Sequence, residues 1–238
     1  MNNILENHND EFYHKVFVTW WGKSGLKFGA NDIYFSDEPN YFQMHEVEQN
    51  MILIRKHGFK EPMPKQYVNF EQLPKGKRII GLHSGCFGGV WEKKKYPHFK
   101  ELAQALLEIN FQVFNFGGLN EQLDIEHKNY QDFAGYQELQ DSINLMSRCN
   151  YFIANDSGLM HVADAMEIPL ITLFGPTLIT KNRPVNGSSH ILVSENGLFG
   201  KCVPCQYTQM FDQCTDNQCM KNISVDDILN LINELEWN

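Results

Sequence analysis

From Arg78 onward the chain alternates between two rhythms. Short apolar runs, "RIIGLH", "FQVFNF", "NYFIAN" and "IPLITLF", each end in small or polar residues, as buried strands do. Between them apolar positions recur at helical spacing. "YPHFKELAQALLEIN" predicts a helix with Phe99, Leu102, Ala103 and Leu106 on one face and Pro97 near its start. "YQELQDSINLMSRC" aligns Leu139, Ile143 and Met146, and "SGLMHVADAME" aligns Leu159, Val162, Ala163 and Met166. "SHILVS" reads as a further strand. The tail, "SVDDILNLINELEW", predicts a helix striped by Val225, Ile228, Leu229 and Ile232, with Ser224 and Asp227 at capping-box spacing.

The first 75 residues are less regular. "KVFVTWW" (Lys15–Trp21) and "NDIYFS" (Asn31–Ser36) are rich in aromatic and β-branched residues and predict strands. "HEVEQNMILIRKHG" predicts a helix with Val47, Met51 and Ile54 on one face and Gly58 as its stop. "KEPMPKQYVNFEQLPKGKR", with three prolines, reads as a linker.

Strand alternating with helix predicts a doubly wound α/β domain with a parallel sheet. In such a sheet, ligands sit outside the carboxyl ends of the strands. Three small-residue turns, "HSGCFGG", "FGGLNE" and "NDSG", fall there and should line one rim. Composition is that of a globular protein, 42% hydrophobic and 21% charged. The net charge of -9 argues against a general nucleic-acid surface. No apolar stretch approaches the roughly 18–20 residues that span a bilayer, and the polar start "MNNILENHNDEFYHK" has no signal-peptide core. A cytoplasmic protein is the expectation.

The "NDSG" turn opens a helix. A helix N-terminus offers unpaired N–H groups and about half a positive charge. Small residues let an anion approach that backbone, and His161 lies one turn beyond Ser157 and Gly158. The plain alternative is that Asp156 or Ser157 caps the helix and His161 is an ordinary histidine. Asp156 is an awkward neighbour for phosphate and suits fastening the helix start or meeting a sugar hydroxyl. In "GGVWEKKKYP", Lys93, Lys94 and Lys95 concentrate positive charge after a glycine-rich turn, which suits a diphosphate or simply a solvated face. In "FGGLNEQ", Gly117 and Gly118 permit close approach, and Glu121 can accept from ribose hydroxyls. No Asp-x-Asp occurs, so no catalytic metal is expected; helix N-termini and lysine must offset any diphosphate charge.

Six cysteines occur, four of them close together near the C-terminus: Cys202, Cys205, Cys214 and Cys219. Cys202-x2-Cys205 and Cys214-x4-Cys219 can wrap one ion in tetrahedral thiolate geometry, which suits structural zinc or iron. Reduced thiols or a disulfide are the alternatives.

"NDSGLMHVADAMEIPLITLFGPT" resembles the signature of the bacterial heptosyltransferases, glycosyltransferase family 9. "IIGLHSG" resembles the strand and turn opening that family's second domain. "KKYPHFKELAQAL" is similar to its Lys-x-Trp-Pro and helix, with Tyr96 replacing the tryptophan and Lys94 in the lysine place. "FNFGGLNEQ" and "CVPCQYTQMFDQCTDNQCMKNIS" resemble two further family segments, so that the likeness runs from about Arg78 to Leu235. It implies a GT-B-type, Rossmann-like nucleotide-sugar domain over 76–238, preceded over 1–75 by a truncated or reduced acceptor-side domain and linker. The family's opening Gly-Asp turn and its catalytic aspartate have no counterpart here, so the base is unassigned.

The resemblance places Lys94, Glu121, Asp156, Ser157, Gly158 and His161 against the donor, with Ser84, Gly85, Gly117 and Gly118 on the same rim. It implies an inverting, metal-independent transfer from an ADP-linked heptose to a glycan, lipid-linked or protein acceptor. Peripheral membrane association and a partner subunit or homo-oligomer accompany that expectation. Related autotransporter heptosyltransferases are similar in using a cysteine finger for iron. Two other readings stay open: a nucleotide-sugar-binding or assembly module without catalysis, and a nucleotide-sugar epimerase on the same scaffold.

Overall fold

The structure, a computed structural model, describes residues 13–17, 30–34, 44–56, 60, 65–86, 88–135, 138–194 and 202–235. The chain divides into two units, Met1–Pro64 and Lys65–Asn238. In the first, strands β1 (Tyr13–Phe17) and β2 (Ala30–Tyr34) pair in parallel, with Tyr13 opposite Ala30. Helix α1 (Glu46–Lys56) carries Glu46 and Glu48 in its first turn, where the helix dipole favours negative charge. The expected strand residues Val18–Trp21, Phe35 and Ser36, the Ile54 side chain and the stop at Gly58 lie outside what is described.

In the second unit, β3 (Ile79–His83) leads through a 3-10 turn (Gly89–Lys94) to α2 (Phe99–Glu108) and β4 (Gln112–Phe116). Next come β5 (Tyr130–Asp132), α3 (Leu139–Met146), β6 (Tyr151–Asn155), α4 (Gly158–Ala165) and β7 (Leu170–Phe174). The short α5 (Ile179–Asn182) precedes β8 (Ser189–Val193), and α6 (Gln209–Gln213), α7 (Gln218–Lys221) and α8 (Val225–Glu234) complete the chain. All neighbouring strands are parallel, in the order β5-β4-β3-β6-β7-β8. The chain builds outward from β3 to β5, then returns to β6 beside β3. That reversal is a topological switch point, and the crevice above it is the favoured ligand position in an open α/β sheet.

Strand residues alternate between two faces, as the pleat requires. Ile80 and Leu82 of β3 pack with α2 and α8; Ile79 packs with α3 and α4 on the opposite face. The predicted stripe of α2 is buried throughout: Phe99, Leu102, Ala103 and Leu106 are at most 2% exposed. Its N-terminus has no side-chain cap, which forgoes about 1 kcal/mol. Burial of each large apolar side chain contributes about 2 kcal/mol, so the packed face, not the end, holds this helix. Helix α8 has both: Ile228 and Ile232 are buried, and Ser224 and Asp227 form the expected capping box.

One element was missed and two local expectations are revised. Strand β5 was not legible as a strand. Leu139 is 62% exposed, because α3 packs through Ser142, Ile143 and Met146 while its first residue lies beyond the packed turns. The part of the proline-rich run after Pro64 is a strap, not a loose linker. Val68 and Phe70 pack against the core, and the Leu73 N–H donates to Ser147 Oγ at 2.9 Å.

Helix α4 also turns differently from its apolar pattern. Met160, Ala163 and Asp164 point inward, while Leu159 and Val162 are half-buried. The fully buried Asp164 carboxylate accepts from the N–H groups of Val185 (2.8 Å), Asn186 (3.1 Å) and Gly187 (3.0 Å), fastening the α5–β8 turn. Removing it orphans three donors in a part-buried turn, each at a cost of about 1 kcal/mol. Asp164→Ala should therefore destabilise the protein by about 3 kcal/mol, read as a lower urea midpoint at unchanged slope; a loss of a few tenths would contradict the fastening role.

Candidate functional site

The carboxyl ends of β3, β4 and β6 bring the three small-residue turns together, as their sequence positions predict. Asn155, the last residue of β6, sits at the centre and is fully buried. Its Oδ1 accepts from the Tyr96 N–H at 2.9 Å, and its Nδ2 donates to the Gly85 carbonyl at 3.0 Å. One carboxamide thus joins the end of the lysine segment to the turn after β3. Asn155 was not singled out in the sequence; an asparagine closing a strand is a weak signal without its partners.

Ser157 occupies the N-cap position of α4, but its side chain makes no capping bond. It pairs instead with His83, Oγ to Nδ1 at 2.8 Å. On the other side of the same ring, Nε2 lies 3.6 Å from Glu121 Oε2. That is longer than a hydrogen bond and acts as an electrostatic contact. Which member of the Ser157–His83 pair donates depends on the ring's tautomer. Either way the Ser157 hydroxyl is engaged by that ring, and the α4 mouth presents backbone N–H groups. A Cβ at Gly158 would meet nothing within 4 Å, so that backbone is open to an incoming group. His161 lies one turn in, half-buried. His83 also escaped the sequence reading, since its partners lie 38 and 74 residues away.

Asp156 is held rather than exposed. Its Oδ2 accepts from Asn182 Nδ2 at 2.9 Å and lies 3.5 Å from Lys94 Nζ. This fastens the helix start and carries Lys94 to the mouth, where its ammonium also lies over the Trp91 ring at 5.4 Å. The Glu121 carboxylate folds back on its own turn and accepts from the Gly118 N–H at 2.6 Å. A Cβ at Gly85 would fall 1.9 Å from Glu121 Cδ, and one at Gly117 would fall 2.4 Å from its Oε2. These two glycines make room for Glu121 rather than leaving bare backbone. Ser84 Oγ and Asn115 Nδ2 both donate to the Glu121 carbonyl at 2.9 Å, which fixes the turn. A cavity of about 120 Å³ beside it is lined by Ser84, Lys95, Tyr96, Asn120 and Glu121, among others.

The larger cavity, about 290 Å³, lies in the C-terminal segment. All four clustered cysteines line it, and none forms a disulfide. Burial pushes the Cys219 thiol up to about 11, and the other three cysteines push the same way. Burial and Cys202 and Cys214 likewise raise Cys205. Among the described residues no three His, Cys, Asp or Glu side chains form a closed set that could hold a metal ion. The segment docks on the turn after β7: the Cys205 and Gln206 N–H groups donate to the Pro176 carbonyl at 3.0 and 2.9 Å. A Cβ at Gly175 would fall 2.4 Å from Met220 Sδ and 3.0 Å from Cys219 Sγ, so a glycine is needed there.

A parallel sheet in this order, with an open helix N-terminus beside its switch point, defines a Rossmann-like domain. The chain belongs to glycosyltransferase family 9 (heptosyltransferase), whose signature matches residues 40–210. It is 24% identical over 220 residues to lipooligosaccharide heptosyltransferase 2 of Campylobacter jejuni, 85% of this chain and 68% of that one. It is 29% identical over 139 residues to lipopolysaccharide heptosyltransferase 2 of Escherichia coli K12, 54% of this chain and 40% of that one.

Among solved structures, E. coli ADP-heptose LPS heptosyltransferase II shares the GT-B fold at a TM-score of 0.66 and 21% identity, over 86% of this chain and 65% of that one. The iron-containing dodecameric glycosyltransferase TibC of enterotoxigenic E. coli matches at 0.58 and 16%, over 86% and 59%. E. coli heptosyltransferase WaaC, solved with ADP, matches at 0.54 and 15%, over 81% and 57%. The chain spans about two thirds of the length of the first of these structures and two fifths of the K12 relative.

Burial raises the Glu121 carboxyl, but the His83 ring, the Gly118 N–H and Lys95 outweigh it and hold the group below its usual value. A carboxyl lowered on folding stabilises fully above its unfolded pKa of about 4.3, and that contribution is lost as the pH falls through the lower folded value. Glu121→Gln lacks it throughout. The melting temperatures of wild type and Glu121→Gln should therefore converge between about pH 6 and about pH 3; a constant gap would contradict the pairing.

Proposed function

We propose that this chain transfers a sugar from a nucleotide-sugar donor, with ADP-heptose as the donor and a lipopolysaccharide-type surface glycan as the acceptor. The observation that carries the reading is the open α4 N-terminus at Gly158 with Lys94 held beside it. Family membership and the names of the relatives support heptose as the sugar. The solved relatives named for ADP-heptose or bound to ADP support adenine as the base.

The chemistry assigned to these residues concerns the leaving group. As the sugar's C–O bond breaks, negative charge gathers on the departing diphosphate. The α4 N–H groups and the Lys94 ammonium meet that charge, which removes the need for a divalent cation. Glu121 accepts from the ribose hydroxyls in this reading, in keeping with its position on the turn after β4. Ser84, Gly85, Gly117 and Gly118 shape the turns that hold it, and His161 lines the mouth. In an inverting transfer the acceptor hydroxyl also loses a proton to a base, which lies outside this set of residues.

We also read the four cysteines as a structural site for zinc or iron. Four soft sulfur donors line one cavity, none in a disulfide; as they stand they form no closed set, so they would have to draw together around either ion. Thiols must lose protons on binding, and those of Cys205 and Cys219 are raised, so affinity would climb with pH. Protein purified without chelator should carry one equivalent of zinc or iron by elemental analysis; a metal-free protein would overturn this site.

The donor reading is tested by calorimetry with ADP, UDP and GDP, followed by a transfer assay. ADP should bind best. Lys94→Ala should weaken it about tenfold or more, the size of one lost charge-assisted contact. His161→Ala should weaken it with the melting temperature unchanged. Failure of all three nucleotides to bind, or wild-type affinity in both variants, would overturn the reading. Binding with no transfer to any acceptor would favour a nucleotide-sugar-binding module instead.

A further inference from the structure

Lys94 lies in a 3-10 turn that buries none of its own residues. Its ammonium meets the Trp91 ring and Asp156, and its backbone is held from the cysteine-rich segment. Asn217 Nδ2 donates to the Lys93 carbonyl at 3.2 Å and to the Lys95 carbonyl at 3.1 Å. It thus grips the backbone on both sides of Lys94. The Lys93 ammonium reaches the opposite way and donates to the Phe211 and Asp212 carbonyls at the end of α6, the latter at 2.8 Å. It also lies over the Phe211 ring at 5.0 Å, and that ring packs on Trp91 at 5.3 Å. Trp91 in turn underlies the Lys94 ammonium.

We propose that Asn217 is a positioning residue for the donor site, acting through Lys94, with Lys93 as its counterpart on the α6 side. The proposal rests on the reading of Lys94 as a diphosphate ligand. It gives the C-terminal segment a role beyond its thiols. Both Asn217 and Lys93 line the cysteine cavity, so the element that gathers the four cysteines also sets where the donor lysine stands. A side chain held in place before the ligand arrives loses less freedom on binding, which is the physical source of the expected gain in affinity.

The bland alternative is that Asn217 only stabilises its own segment. Two measurements on the full chain separate them. Amide hydrogen exchange without nucleotide should rise at Lys93–Lys95 in Asn217→Ala. Calorimetry with ADP should show about fivefold weaker binding in Asn217→Ala. The double variant with Lys94→Ala should bind no more weakly than Lys94→Ala alone, since the two act as one. Lys93→Met keeps the stem against Phe211 and removes the ammonium; it should behave like Asn217→Ala, and it serves if that variant folds poorly. Unchanged exchange in both variants overturns the clamp. Raised exchange with wild-type ADP affinity, or with losses that multiply in the double variant, overturns its action through Lys94. If the wild type binds no ADP, the donor reading falls and this proposal with it, and that outcome is recognised in the first titration.

Discussion

The candidate site depends on the two hydrogen bonds of the Asn155 side chain. Parallel pairing brings the strand ends to one rim, but it does not fix the long connections that leave them. The segment from Ser84 to Tyr96 includes a turn with no buried residue. Asn155 ties both ends of it to the end of β6, through Gly85 and Tyr96. Because the carboxamide is fully buried, any other position of that segment would leave polar atoms unpaired, at about 1–3 kcal/mol each. The lysine segment, the α4 mouth and the turn after β3 are held in register for that reason.

Around that joint, charge is organised in pairs. Lys94 meets Asp156, and Glu121 meets His83, which also pairs with the Ser157 hydroxyl. Three of these four residues, Lys94, Asp156 and Glu121, were read from the sequence as ligand contacts; His83 was not. Asp156, awkward beside phosphate when read in sequence, has its charge matched by Lys94 and Asn182. The glycines divide similarly: Gly158 leaves space open, Gly85 and Gly117 admit Glu121, and Gly175 admits Met220. The last of these explains how a turn after β7 and the Cys219–Met220 end of the cysteine-rich segment, more than forty residues later, pack together.

Much of the fold was legible because its elements bury long apolar patterns. The α2 stripe and the β3, β4, β6 and β7 runs lie where their periodicity places them. Strand β5 was not, because three edge residues, Tyr-Gln-Asp, carry no apolar run. The inward turn of Asp164 was not legible either, since its donors come from a turn more than twenty residues later. The small-residue turns and the lysine run come together at the carboxyl ends of the strands. What they could not reveal was the set of contacts across that rim. A cap was one reading of Ser157 because caps are local, but its side chain pairs with a residue 74 positions away. The same limit hid Asn155, His83 and Asn217, whose chemistry exists only once distant strands and loops meet.

The most direct measurement is a crystal structure of the chain with ADP. The diphosphate should accept from the Gly158 N–H and from Lys94, with the ribose hydroxyls at Glu121 and the Asn155 bonds to Gly85 and Tyr96 unchanged. A diphosphate seated elsewhere on the sheet, with Lys94 still turned to Asp156, would contradict the assignment of the α4 mouth as the donor site.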